Sequence, residues 1–189
     1  MANALSVLRL LSALPFALAM AYPTPPAAAA AAGLLLLAIA TDLLDGPIAR
    51  SRGTSSALGG VLDHTADFVF VSAGLGAMAL REAVPFVLPL LIVLAFSQYV
   101  VDSFVLHREK QLRMSRLGRS NGVLYFVPLV GDVLARLWFP ALGLAVQGVA
   151  WLLALTTLIS MLDRLLALPR ARRTAPDSRA AGTADQSPR

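Results

Sequence analysis

Cysteine is absent from the 189 residues, and charged residues make up only 14% of them. Without a thiol there is no disulfide framework and no Cys-ligated zinc or iron–sulfur centre. A soluble domain carries about 25% charged residues, so this chain has roughly half the usual complement and cannot cover a water-facing surface. Acid is the scarcer sign, with eleven Asp and Glu against sixteen Lys and Arg. The resulting charge of +5 and pI near 10.7 would suit a nucleic-acid binder. The distribution excludes that partner. Five basic residues fall in 108–119 and five from Arg170 onward, beside apolar segments, where the positive-inside rule puts them. The basicity reports orientation toward a cytoplasm and its anionic leaflet.

What the chain has is apolar length: 57% of residues are hydrophobic and the mean hydropathy is +0.71. About 20 apolar residues cross a bilayer core as a helix. Segments 4–22, 28–50, 57–80, 84–106, 120–139 and 141–167 qualify. They predict an all-α, polytopic integral membrane protein, a six-transmembrane-helix bundle over 1–168 with a cytoplasm-facing polar site. Residues 169–189 turn to Pro, Arg, Ala, Ser and Thr and are expected to form a disordered basic cytoplasmic tail. Turn chemistry marks the connections at Tyr22-Pro23-Thr24-Pro25-Pro26, at 51–56 and at Arg81-Glu82-Ala83, and Pro140 separates the last two spans. Pro128, inside the fifth span, predicts a kink there. Arg50, Arg52, the 108–119 cluster and Arg170, Arg172 and Arg173 fall on one side, Arg81 and Arg136 on the other. Both termini are therefore expected in the cytoplasm of a bacterial-type membrane. A cleaved leader ending near Ala19-Met20-Ala21 is the alternative for the first span. One basic residue, Arg9, and a second long apolar segment directly after it speak against that.

Four of the eleven acids crowd between Asp42 and Asp67. Each costs on the order of 3 kcal/mol inside a membrane helix, so the cluster needs a reason. At 1.5 Å per residue, Asp45 and Asp42 lie roughly 7 and 12 Å inward from Arg50, and Asp63 and Asp67 roughly 9 and 15 Å inward from Ala57. On antiparallel neighbours these depths match, Asp45 with Asp63 and Asp42 with Asp67. Each pair also shares a helix face at i, i+3 or i, i+4. Facing carboxylates repel unless cations sit between them, and hard oxygen donors favour Mg²⁺ or Mn²⁺, which commonly hold substrate phosphates too. Gly46, Gly59 and Gly60 allow a close approach. Two metal ions, a phosphate-sized site and Arg50 at its mouth describe phosphoryl transfer at the membrane surface. A divalent-cation transporter or channel is the alternative, since intramembrane acids also mark ion paths. Its sites usually sit near the midplane between repeats, and no repeat is visible here. His64, about 100° round the helix from Asp63, is not favoured as a ligand. Asp132 and Arg136 are expected to form a local i, i+4 pair near the outer face.

The run Asp42-Leu-Leu-Asp45-Gly46-Pro-Ile-Ala49-Arg50, eight residues, then Gly59-Gly-Val-Leu-Asp63-His-Thr-Ala-Asp67 resembles the signature of CDP-alcohol phosphatidyltransferases, D-x2-D-G-x2-A-R-x8-G-x3-D-x3-D. Eight fixed residues across 26 positions all agree. Asn3-Ala-Leu-Ser6-Val-Leu-Arg9 resembles the same family's N-x-x-T-x-x-R start, with Ser for Thr. The resemblance implies six transmembrane helices and transfer of a substituted phosphoryl group from a CDP-alcohol, usually CDP-diacylglycerol, to a polar alcohol, with release of CMP. It implies that Asp42, Asp45 and Asp63 hold the divalent ions and the CDP diphosphate, and that Asp67 completes the metal site and is the base on the acceptor hydroxyl. Gly46, Ala49, Arg50 and Gly59 would complete the nucleotide site. A homodimer is usual in the family. Relatives using phosphorylated acceptors carry basic residues near the fifth and sixth spans, which makes Arg119 and Arg164 the candidates for an acceptor phosphate, glycerol 3-phosphate first among acceptors.

Overall fold

The computed structural model of the chain describes residues 2–51, 57–101 and 116–173. Among these residues every regular element is helical: α1 (Ala2–Ala21), α2 (Pro25–Ser51), α3 (Ala57–Leu80), α4 (Val87–Val101), α5 (Arg116–Leu124), α6 (Phe126–Leu137) and α7 (Leu142–Arg173). Among the described residues, three stretches are long and apolar enough to cross a membrane: Ala4–Ala21, Pro25–Leu43 and Leu142–Asp163. α3 matches them in length at 24 residues but spends part of it on Asp63, His64 and Asp67. Leu11, Leu14, Leu36, Leu144 and Leu155 point outward, uncovered by protein, as side chains facing lipid would. The protein is an integral membrane protein.

Local chemistry sets the helix ends. α2 starts at Pro25, three residues before the hydropathy alone suggested, because Thr24 caps it. The Thr24 hydroxyl accepts from the Ala27 amide (3.4 Å) and its carbonyl from that of Ala28 (2.9 Å). The two prolines then occupy the first turn, where no amide donor is needed. α3 stops in a Schellman arrangement, with Ala83 N–H donating to the Met78 carbonyl and Glu82 N–H to that of Ala79, both at 3.0 Å. Glu82 takes φ +62° to close it, a position usually left to glycine.

The expected fifth span, 120–139, is two helices. The break falls at Tyr125 and not at Pro128. Proline cannot donate to the carbonyl four residues back, and its ring crowds that group. For Pro128 that residue is Leu124, the last of α5. α7 continues to Arg173, past the expected boundary at 168; the rest of the expected tail, 174–189, lies outside the described residues, as does 102–115.

α1 packs most extensively on α3 and α2, while α7 packs on α6 and α4. Phe16 stacks on Phe70 with ring centroids 4.2 Å apart and planes within 9°. Gly74 makes room for Phe16 and Leu129, since a Cβ there would overlap Phe16 Cε1 and lie 2.9 Å from Leu129 Cδ2. At the far end of α1, Asp132 does more than the expected local pairing. It meets Arg136 Nε at 2.9 Å and also Arg81 Nη2 at 2.5 Å. The same arginines donate to carbonyls at the end of α1 and just past it: Arg81 Nε to Met20 (2.7 Å), and Arg136 Nη1 to Ala19 (3.1 Å) and to Tyr22, the residue after the helix (2.9 Å). This clasp joins α1, α3 and α6 and satisfies groups that a helix end leaves open.

Candidate active site

At the other end of α1, Arg9 is fully buried, and its guanidinium lies beneath the aspartates of α2 and α3. Nη1 donates to Asp63 Oδ1 at 3.1 Å, contacts Asp67 Oδ1 directly, and lies 3.7 Å from Asp42 Oδ1. Nε and Nη2 donate to the Thr41 hydroxyl at 3.4 and 3.2 Å. Thr41 in turn donates to the Ala38 carbonyl (2.9 Å), and Ser6 donates to Asp63 Oδ1 (3.3 Å). The arginine's side chain is 0% exposed, whereas those of Asp42, Asp63 and Asp67 are 54%, 29% and 30% exposed. The carboxylates are thus held from below and open above.

Three carboxylates less one guanidinium leave two formal negative charges among the described side chains, which suits divalent cations. The donor chemistry fits as well. Ligand atoms of Asp63, His64 and Asp67 lie within 4.8 Å of one another, and carboxylate oxygens are the ligands Mg²⁺ and Mn²⁺ prefer. His64 joins this group despite its angle from Asp63, because it is the i−3 neighbour of Asp67 on the same helix face. Among the described residues, nothing outside its own helix backbone and chain neighbours lies within 4 Å of where a Cβ on Gly60 would stand.

The aspartates form one end of a cavity of about 570 Å³ between α2, α3, α4, α5, α6 and α7. Ile39, Val71, Ile92 and the stacked pair Phe68 and Phe96 (centroids 3.9 Å apart) give it apolar walls. One wall is polar and uncharged. Tyr125 Oη and Thr157 Oγ1 are 2.6 Å apart, Asn121 Nδ2 donates to Thr157 Oγ1 (3.4 Å), and Thr157 donates to the Leu153 carbonyl (2.6 Å).

Of the residues expected at the site, Asp42, Asp63 and Asp67 converge, the Asp42–Asp67 proximity as their depths required. Gly59 stands in the first turn of α3. Asp45, Gly46, Ala49 and Arg50 continue α2 beyond Asp42, and Arg119 and Arg164 lie on α5 and α7; the side chains of these six positions lie outside the described residues. Sequence reasoning missed Arg9 as a partner of the aspartates. The signal was available, since an arginine inside an apolar span needs a counter-charge and the aspartate cluster is the richest source of one.

Comparison with known proteins bears on this geometry. A family model described as CDP-alcohol phosphatidyltransferase matches residues 1–165. The chain is 26% identical over 143 residues to a phosphatidylinositol phosphate synthase of Mycolicibacterium smegmatis, an alignment covering 73% of this chain and 63% of that protein. No solved structure is significantly similar. The family match runs from α1 through most of α7 and takes in Arg9, the aspartates and the cavity: the chain belongs to the CDP-alcohol phosphatidyltransferase family.

Proposed function

We propose that this protein transfers a phosphatidyl group from CDP-diacylglycerol to a hydroxyl of a phosphorylated polyol, releasing CMP. The observation that carries this reading is the convergence of Asp42, Asp63 and Asp67 at one end of a largely apolar cavity. Anionic chemistry and a lipid's glycerol backbone can meet there. Divalent ions bound among Asp42, Asp45, Asp63 and Asp67 would neutralise the diphosphate and stabilise CMP as it leaves. In the step itself the acceptor oxygen attacks the phosphatidyl phosphorus, the bond to the CMP oxygen breaks, and Asp67 takes the hydroxyl proton. Gly46, Ala49, Arg50 and Gly59 hold the cytidine nucleotide, by the signature they complete. Arg119 and Arg164 clamp the acceptor phosphate with charge-assisted hydrogen bonds.

The relative's name favours an inositol phosphate as acceptor, with glycerol 3-phosphate second. The six crossings of this reading are α1, α2, α3, the expected span that includes α4, α5 with α6, and α7. Both termini and the aspartate site face the cytoplasm, by the basic-residue asymmetry. A cation transporter has no use for Ala49, Arg50 and Gly59 at these spacings, and family membership favours transfer. Purified protein with Mn²⁺ and CDP-diacylglycerol should release CMP only when a polyol phosphate is added. Equal release with serine, and none with either phosphate, would sink the acceptor assignment. Arg164→Ala should raise the acceptor KM far more than the CDP-diacylglycerol KM.

A further inference from the structure

The signature leaves three positions open between its last two aspartates, and in this chain the first of them is His64. The imidazole is exposed and borders the same cavity as Asp42, Asp63 and Asp67. One ring nitrogen and one oxygen from each of Asp63 and Asp67 lie within 4.8 Å of one another. Donor atoms sharing one ion, at bonds of about 2.1 Å, stand about 3 to 4.2 Å apart. An exposed ring closes that gap by turning about its own side-chain bonds, with no movement of the backbone. Nothing competes for it, since among the described residues the ring takes part in no hydrogen bond or ion pair.

The aspartates have use for a further donor, because Arg9 already draws on them. Its Nη1 engages Oδ1 of Asp63 and of Asp67 and lies 3.7 Å from that of Asp42. An ion seated above them has fewer carboxylate lone pairs to share. Resting on the metal site of the proposed transfer reaction, we propose that His64 is a metal ligand beside Asp63 and Asp67, and that its imidazole makes the site prefer Mn²⁺ to Mg²⁺. The two ions carry the same charge, so the carboxylates attract both. They differ toward nitrogen: Mg²⁺ takes oxygen donors and gives up water reluctantly, whereas neutral imidazole is the common nitrogen ligand of transition metals. His64 replaces one water on the ion and leaves the charge of the site unchanged.

The test uses the purified full chain in detergent, loaded with Mn²⁺ and read by pulsed electron paramagnetic resonance. Wild type should show a nitrogen coupled directly to the bound ion, and the coupling pattern should change when the protein is made with ¹⁵N-histidine. The chain has two histidines; His107→Ala should keep the coupling and His64→Ala should lose it. His64→Ala should also weaken Mn²⁺ binding about tenfold or more, the least that even a residue supporting a metal ligand is worth, while the Mg²⁺ Kd stays within about twofold. Wild type that binds Mn²⁺ with no histidine nitrogen coupled to it overturns the assignment, a result that does not depend on any variant folding. So does an equal loss of both metals in His64→Ala. Wild type that binds no Mn²⁺ overturns the ligand and the metal site together. A histidine coupling that His64→Ala abolishes, in a protein that releases no CMP from CDP-diacylglycerol, upholds the ligand and fails the transfer reading alone.

Discussion

Arg9 meets two demands with one side chain. It neutralises part of the charge that Asp42, Asp63 and Asp67 bring into an apolar bundle, and it holds their Oδ1 atoms in fixed positions. Arg9→Met removes both functions. Leaving part-buried carboxylates without their partner costs less than the roughly 3–5 kcal/mol of a fully buried pair but still destabilises, so the variant should melt below wild type in detergent. Added Mn²⁺ should recover part of that loss, because an ion that binds only the folded state stabilises it; a melting shift equal to that of wild type would remove Arg9 from the electrostatics of the site. The aspartates divide differently. Asp67→Asn should lose about 10²- to 10⁴-fold in turnover and change nucleotide affinity less than Asp42→Asn does, since a base acts in the transition state while a ligand already holds the diphosphate. Robust turnover in Asp67→Asn would take the proton transfer elsewhere. The aspartates were legible in the sequence because they lie on consecutive antiparallel helices, where depth follows from counting residues. Arg9 was not, because its partner Asp63 is 54 positions away and a single arginine near the N-terminus resembles an orientation signal. Asn121, Tyr125 and Thr157 come together from distant parts of the sequence, and no local spacing announces them.

Helix ends show how far a local pattern carries. Proline marked the turns around Pro23 and Pro140, and the polar run Arg81-Glu82-Ala83 the one after α3, yet helix ends shifted by a few residues for physical reasons. Thr24 supplies a cap that lets two prolines count as helix, and Pro128 acts on Leu124, one turn before itself. Glu82 is the unexpected case, a side chain in a left-handed position that glycine takes at less cost. Relief of that conformation is worth about 1 kcal/mol, offset in part by the greater freedom glycine has in the unfolded chain. Glu82→Gly should therefore raise the melting temperature slightly or leave it unchanged, with catalysis unaffected at the opposite end of the bundle. A marked fall in melting temperature would mean that the Glu82 side chain contributes more than the turn conformation costs.

The whole molecule is asymmetric from end to end. Arg81, Asp132 and Arg136 tie one end shut across three helices, while the aspartates open into a cavity at the other. The absence of native cysteine permits a direct check of which end faces inward: a single cysteine at Ser115 should be labelled by an impermeant thiol reagent only after the membrane is opened. Labelling in sealed cells would reverse the orientation of the site. The joining of Arg9 to α3 also has a consequence for how the protein is made. When α1 leaves the ribosome its arginine has no counter-charge, and the insertion penalty of about 2.5–3.5 kcal/mol must be offset by the leucines around it. Asp63 and Asp67 emerge more than fifty residues later, carrying a penalty of the same kind. Each helix is a poor passenger alone and a good one beside the other. Stable residence of α1 in the bilayer should therefore await the synthesis of α3, which gives the nascent chain an order of assembly written in two opposite charges.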